Sequence, residues 1–359
     1  MRAGQNHYRL LDALRGVAAL AVVCGHLGDA WGHPVGQDYV LAVDFFFILS
    51  GFVIAHAYRD KLASTMSAIE FWRVRAVRLY PLLVVGAIAG GISLLVTHAA
   101  QSGWSAGNIL VTMILAAFAL PSFLLPGAQA FPANGPAWSL LFELIANFLY
   151  APLALFLTRK RLVALTLVAA GLLAFETIQR GTIESGWSKD HLVGGLFRVF
   201  FGFTCGLALY EFRPQWRIAA RWGWLLMLAL AALLFSPITH YAHGQLVIAM
   251  MFMPAIVWVG SAIETAGVGS RISAFLGALS YPLYILHKPV MEVTTAFFRS
   301  AAPDVDWKLI ALFQVAIFVA VAWLGLRLFD EPVRARLGRW FKARRSRKMR
   351  DPDPHAPST

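Results

Sequence analysis

Apolar residues fill this chain in long runs separated by short polar stretches. The runs cover about 11–31, 40–58, 79–99, 108–126, 137–158, 161–179, 191–211, 222–238, 245–263, 275–297 and 308–329. Most come close to the roughly 20 residues that a helix needs to cross a bilayer core. The pattern predicts an all-α polytopic membrane protein with no internal repeat. Segment 59–78 is amphipathic and basic and is expected to lie along the membrane surface. The stretch RARLGRWFKARRSRKMR is strongly basic, and DPDPHAPST after it reads as disordered. The expected division is a membrane-embedded domain over 1–335 and a basic, partly disordered cytoplasmic tail over 336–359.

The basic residues set the direction of the spans, because Lys and Arg are retained on the cytoplasmic side. Arg2 and Arg9 put the N-terminus inside. The group Arg59, Lys61, Arg73, Arg75 and Arg78 lies two spans later and is also inside. The turn Arg159-Lys160-Arg161, the loop with Arg213, Arg217 and Arg221, and the tail belong on the same side. Strict alternation satisfies all of these except between 79 and 158, where three apolar runs would place Arg159-Lys160-Arg161 outside. One run must therefore fail to cross. Segment 108–126 is the candidate, since Pro121 and Pro126 interrupt its end and no charge flanks it. The expectation is about ten transmembrane helices plus one re-entrant or interfacial segment, with both termini cytoplasmic.

Composition agrees with that class. Hydrophobic residues make up 58% of the 359 and charged residues 14%, against about 25% charged in an average soluble domain. A water-soluble globule, a disordered chain and a nucleic-acid-binding domain are all excluded. The net charge of +12 is then a topology signal, with no nucleic acid as partner and the lipid bilayer as surroundings. Cys24 and Cys205 sit inside apolar runs and form neither a disulfide framework nor a metal spacing. The first run contains Arg15 and His26 and lacks a small-x-small cleavage site, so it reads as a retained helix rather than a signal peptide. No Gly-x4-Gly-Lys loop and no Gly-x-Ser-x-Gly elbow occurs. The His7-x4-Asp12 spacing of glycerolipid acyltransferases is treated as chance.

Ionisable residues inside a span cost about 2.5–3.5 kcal/mol each on insertion scales, so they usually face a bundle interior or a wet cavity. Arg15 and His26 are eleven residues apart, three helical turns plus about 20°, and so project from one face about 16 Å apart along the axis. They offer an anion-binding cation and a titratable base on one stripe. Separately, each could be a snorkelling arginine or a satisfied core histidine. Asp44 opens the second run in VDFFFILSGF, either as a helix-start cap or as the carboxylate that orients His26. Arg73, Arg75 and Arg78 precede the third run. They are a positive-inside flank or a bidentate grip on a phosphorylated donor. In PAWSLLFELIANFLY, Ser139, Glu143 and Asn147 are four apart and form one polar stripe on an apolar helix. LSYPLYILHKP carries Ser280, Tyr281, Tyr284 and His287, as an interfacial aromatic belt or as part of a site. Asp330 and Glu331 close the last run, most simply as a helix terminus paired with an arginine.

The ordered set Arg15-x10-His26, VDFFFILSGF, RVRAVRLYP, WSLLFE, SYPLYILHKP and Glu331-Pro332 resembles the acyltransferase-3 family of integral-membrane O-acyltransferases, over about residues 8–335. The resemblance implies about ten membrane helices and a bacterial inner-membrane location. It also implies an acyl-CoA donor, most simply acetyl-CoA, bound from the cytoplasm, and acyl transfer to a hydroxyl of a carbohydrate or glycosylated acceptor. The family's Arg-x10-His motif falls on Arg15 and His26, its Arg-x-x-Arg motif on Arg75 and Arg78, and its WSL-x-x-E carboxylate on Glu143. The implied roles are His26, Asp44 and Glu143 in catalysis and Arg15, Arg75 and Arg78 on the donor. Ser139, Tyr281, Tyr284 and His287 would serve the acceptor or the surroundings of the site. No permanently bound cofactor and no metal are expected. Some members add a hydrolase-like periplasmic domain at the C-terminus. The 359 residues leave no room for one, which takes support away from a second, extracytoplasmic transfer step. The chemistry fits, because a hydroxyl attacking a thioester needs a base that titrates near working pH. His26 would be that base or would itself carry the acyl group. The rival class is a glycan or lipid transporter or flippase using the intramembrane His, Asp and Glu as a proton relay. Such a protein would be expected to carry inverted repeats.

Overall fold

A computed structural model describes residues 8–35, 37–98, 104–236, 241–264 and 267–350. Residues 1–7, with Arg2 and His7, and the segment 351–359 lie outside the described residues, as do the assignments made for them. The helices are α1 (Arg9–Trp31), α2 (Ala42–Ser64), α3 (Ala68–His98), α4 (Ala106–Ala117), α5 (Ala137–Leu153), α6 (Arg159–Arg180), α7 (Gly194–Glu211) and α8 (Trp222–Leu234). They continue as α9 (Ala242–Val247), α10 (Met253–Ala262), α11 (Gly267–Ala301), α12 (Trp307–Leu324) and α13 (Glu331–Arg350). π-helical turns at Ile248–Phe252 and Gly325–Asp330 join α9 to α10 and α12 to α13. Among the described residues there is no β-strand, only two isolated bridges.

Six helical stretches among the described residues are long and apolar enough to cross a membrane. They are Arg9–Trp31, Asp38–Ser64, Ala68–His98, Arg159–Arg180, Ala242–Ala262 and Trp307–Phe341. α4, α5 and α8 are apolar but shorter. At 12 residues, α4 is about 18 Å long, too short for a hydrocarbon core of about 30 Å. The apolar run expected over 108–126 stops being helical at Ala117, and Ala119 just after it takes a left-handed φ of 55°. The chain then folds back, with the Ala133 carbonyl lying against Gly90 of α3.

One expectation is corrected. Segment 59–78 is not a separate surface helix. It is the end of α2, a turn, and the first turns of α3. Ser67 and Glu70 build a reciprocal capping box there: the Glu70 amide donates to Ser67 Oγ at 3.2 Å and the Ser67 amide to Glu70 Oε2 at 3.1 Å. That cap starts α3 eleven residues before the apolar run begins. The basic tail continues the last membrane helix as α13 out to Arg350, because the π-helical turn at Gly325–Asp330 keeps the chain helical.

The core is built on two extensive helix pairs, α1 with α11 and α2 with α7. The second is close-packed through glycine. A Cβ on Gly51 would overlap the Phe203 carbonyl, and one on Gly206 would overlap that of Ile48. Within this pair lies a fully buried ion pair. Arg198 of α7 donates from Nε and Nη2 to the two oxygens of Asp44 of α2, at 3.0 and 2.6 Å. The same guanidinium donates to the carbonyls of Val40 and Ser185, so it also ties down the segments entering α2 and α7.

The two ends of the bundle differ in charge. At one end Arg59 of α2 and Arg159 of α6 both pair with Glu211 of α7. Arg78 of α3 and Arg334 of α13 both approach Asp330, at 3.8 and 2.9 Å. At the other end the connection 118–136 clasps the connection 181–193. Ala130 donates to the Trp187 carbonyl and Lys189 to that of Ala128.

Two outcomes follow from this arrangement. Breaking a buried ion pair by removing one partner costs about 3–5 kcal/mol. Arg198→Ala should therefore lose much of the folded protein in a thermal melt followed by size exclusion. Asp44→Leu combined with Arg198→Met should recover part of that loss; no recovery would mean that an unpaired buried charge is not what destabilises the single variant. Ala128→Cys and Lys160→Cys, each made without Cys24 and Cys205, should react with an impermeant thiol reagent from opposite sides of the membrane. Reaction of both from one side would overturn the crossing assigned to α5.

Candidate active site

Two chambers occupy the interior. The first is an arginine chamber bounded by α1, α2, α3, α5 and α11. Arg15, Ser50, Arg75, Arg78, Ser139, Glu143, Ser280, Tyr281 and Tyr284 supply its polar lining. The cations are held in place. Arg15 donates to Ser280 Oγ at 2.8 Å, to the Gly277 carbonyl at 3.0 Å and to Asp12 Oδ1 at 3.0 Å. Arg75 pairs with Glu143 at 2.7 Å, and Ser50 donates to the same carboxylate oxygen at 2.9 Å. Arg78 lies 5.6 Å from the centre of the Tyr281 ring. Three guanidiniums border this cavity, each near a carboxylate, Arg15 by Asp12, Arg75 by Glu143 and Arg78 by Asp330; planar donors of this kind suit an anionic group.

The second is a histidine chamber at the end where the two connections clasp. His26, Asp29 and Tyr39 come from α1 and the turn before α2. Gln129, Phe131, Gly135 and Pro136 come from one connection, and Glu184 and Trp187 from the other. Trp138, Arg198, Tyr284 and Lys288 complete the polar and aromatic wall. The Glu184 carboxyl is raised above its usual range by burial, with Arg198 opposing the rise and Asp29 adding to it. A carboxyl that keeps its proton more readily can donate as well as accept toward a hydroxyl.

With both rings neutral, the hydrogen bonds around His26 assign its tautomer. His287 Nδ1 lies 3.0 Å from the Leu283 carbonyl. A carbonyl only accepts, so that nitrogen carries the proton. The other nitrogen, His287 Nε2, is then a lone pair, and it lies 2.8 Å from His26 Nδ1. His26 Nδ1 must donate to it. In that tautomer the lone pair of a neutral His26 lies on Nε2, with the second imidazole holding the ring's other nitrogen. The two rings are stacked at 15° with centres 5.1 Å apart. Pro289, two residues beyond His287, removes the amide that would pair with the Ile285 carbonyl. Asn134 donates to that carbonyl at 2.9 Å, which fixes the 118–136 connection against α11 beside the histidines.

The structure brings Arg15, Arg75, Arg78, Ser139, Glu143, Tyr281 and Tyr284 to one chamber, although the sequence reading divides them among donor, catalytic and acceptor roles. Two pairings differ from expectation. Asp44 does not orient His26, because both its oxygens are taken by Arg198, and His287 occupies the orienting position. Glu143 lines the arginine chamber and pairs with Arg75, so it does not share a chamber with His26. Arg198, Asp29, Tyr39, Glu184 and Lys288 were not singled out from the sequence. Arg198 sits in an apolar run, and its partner is 154 positions away. Only its cost inside a span marks it.

The acyltransferase-3 family, described as an acyltransferase domain, matches residues 8–327. Over 172 residues, 45% of this chain, it is 38% identical to "Protein 2 in picA locus" of Rhizobium radiobacter, covering 90% of that protein. It is 36% identical over 161 residues, 42% of this chain, to acyltransferase MdmB of Streptomyces mycarofaciens. Over 378 aligned positions, 93% of this chain, it is 23% identical to the peptidoglycan O-acetyltransferase OatA of Listeria monocytogenes. The matches span 40% of MdmB and 57% of OatA. No solved structure matches. With the family match running from α1 into the π-helical turn after α12, the chain belongs to the acyltransferase-3 family of acyl-transferring enzymes.

Proposed function

We propose that this enzyme moves an acyl group, most simply acetyl, from acyl-CoA to a hydroxyl of a carbohydrate or glycosylated acceptor. The coenzyme's phosphates occupy the arginine chamber against Arg75 and Arg78, and Arg15 contacts the pantetheine arm or the acyl carbonyl. The acceptor occupies the histidine chamber. His26 Nε2 takes the proton of the acceptor hydroxyl as its oxygen attacks the thioester carbonyl. The tetrahedral adduct collapses, the carbon–sulfur bond breaks, and the proton passes from His26 to the departing thiolate. The products are an ester and free coenzyme A. In a two-step route the same nitrogen carries the acyl group. His287 acts as a positioning residue that holds the reactive tautomer.

The observation that carries this reading is the chain Leu283 carbonyl, His287, His26, which leaves one lone pair at the wall of a chamber next to an anion-binding one. A transporter would have little use for a base fixed in one tautomer. The basic ends of the helices support a cytoplasmic arginine chamber. About ten crossings, with α4 and 118–136 as the re-entrant segment and both termini cytoplasmic, fit that arrangement. The bacterial inner membrane is the location consistent with it.

Purified enzyme in nanodiscs, given labelled acetyl-CoA and a pool of surface glycans, should place label on the glycans. Movement of glycan without labelling would favour the transporter class. His26→Ala should lower transfer about 10²–10⁴-fold while coenzyme A still binds; near-normal turnover would end the reading. The acid limb of the wild-type pH–rate profile should rise as the histidine pair becomes neutral, because a protonated His26 has no lone pair to offer. Replacing Arg75 and Arg78 together with Lys keeps the charge and loses the bidentate geometry. Coenzyme A affinity should then fall; unchanged affinity would leave the two arginines as topology signals.

A further inference from the structure

The two chambers meet at one side chain. Among the described residues Tyr284 is the one that lines both. Its ring is 6% exposed and is wedged on two sides. Phe46 meets it edge-on with centres 5.5 Å apart, and the His287 ring lies 6.3 Å away. Its hydroxyl is latched. Ser139 Oγ lies 3.1 Å from the Pro136 carbonyl and 2.8 Å from Tyr284 Oη. The serine has one proton, and the carbonyl can only accept it. Tyr284 is therefore the donor to Ser139. Ser139 lines the arginine chamber and Pro136 the histidine chamber, so the latch itself spans the boundary.

We infer that Tyr284 is the shutter between the donor and acceptor sites, and that the thioester meets His26 only when the Tyr284–Ser139 latch releases. The inference rests on the donor and base assignments above and adds to them a role in coupling. A fixed base in a chamber that also holds water could hydrolyse the thioester. Water would add its oxygen to the carbonyl carbon, the carbon–sulfur bond would break, and the proton would end on sulfur. Free acid and free thiol would leave, and no acceptor would be modified. Tyr284 prevents this by keeping a ring between the thioester and the lone pair of His26 until the acceptor has displaced the water. It is a positioning residue and takes no part in bond making.

The test measures two rates on the same enzyme, made without Cys24 and Cys205. One is acyl transfer to the acceptor glycan. The other is release of coenzyme A thiol from acetyl-CoA with no acceptor present. Tyr284→Ala should raise thiol release relative to transfer by at least about the two- to tenfold expected when one hydrogen bond stops holding a closed state. Ser139→Ala keeps every ring and loses the latch, so it should raise the same ratio to a lesser degree. It also carries the test if Tyr284→Ala fails to fold. The added hydrolysis should vanish when His26→Ala is introduced into either variant, whereas a merely loosened fold would leak without needing the base. A ratio unchanged in both variants, or a leak independent of His26, would overturn the shutter. Absence of transfer in the wild-type enzyme would instead count against the function proposed above.

Discussion

The constraint on which this molecule turns is the burial of charge inside an apolar bundle, and its strictest case is Arg198 against Asp44. Both are essentially unexposed, and both carboxylate oxygens are used. An arginine buried that completely is tolerable only when its donors are satisfied. The remaining ones reach the carbonyls of Val40 and Ser185. These carbonyls belong to the turn leading into α2 and to the connection leading into α7. The roof of the histidine chamber therefore hangs on one guanidinium, whose face also packs 5.1 Å from the centre of the Trp138 ring. The glycines at the α2–α7 contact let the two backbones approach closely enough for the pair to form.

The remaining intramembrane charges are sorted in two directions. Toward one end, Arg15, Arg75 and Arg78 converge with Glu143 on a chamber suited to phosphate. Toward the other, His26, Asp29, Glu184, Arg198 and Lys288 converge with aromatic rings on the second chamber. In the function proposed above, this division gives the donor and the acceptor separate places in one bundle. α11 serves both chambers. Ser280 and Tyr281 face the first, Lys288 the second, and Tyr284 stands between them, all within about two turns and a half of one helix.

Much of this was legible in the sequence. Apolar run lengths located the helices, and Pro121 and Pro126 correctly marked the end of α4 as irregular. Spacing put Arg15 and His26 on one face, and Ser139 and Glu143 on another. What stayed hidden were pairings between distant segments. His26 and His287 are 261 positions apart and Asp44 and Arg198 are 154 apart. No local period reports such contacts. Asp44 reads either as a helix-start cap or as the carboxylate that orients His26, because its place at the start of the second run fixes an end of a helix but not the direction of a side chain. The capping box at Ser67 and Glu70 was readable as a motif, yet it was masked by the basic, amphipathic look of the surrounding segment. Asp29 and Glu184 sit at the polar edges of helices, where a carboxylate draws no notice until the fold closes around it.

The central claim is that donor and base occupy different chambers of one bundle. A cryo-electron-microscopy structure of the enzyme with coenzyme A bound tests it most directly. The account places the phosphates against Arg75 and Arg78 and the thiol end at Tyr284, with the histidine chamber left to the acceptor. Coenzyme density running from the clasped connections past Glu184 and His26, with the arginine chamber empty, would contradict it.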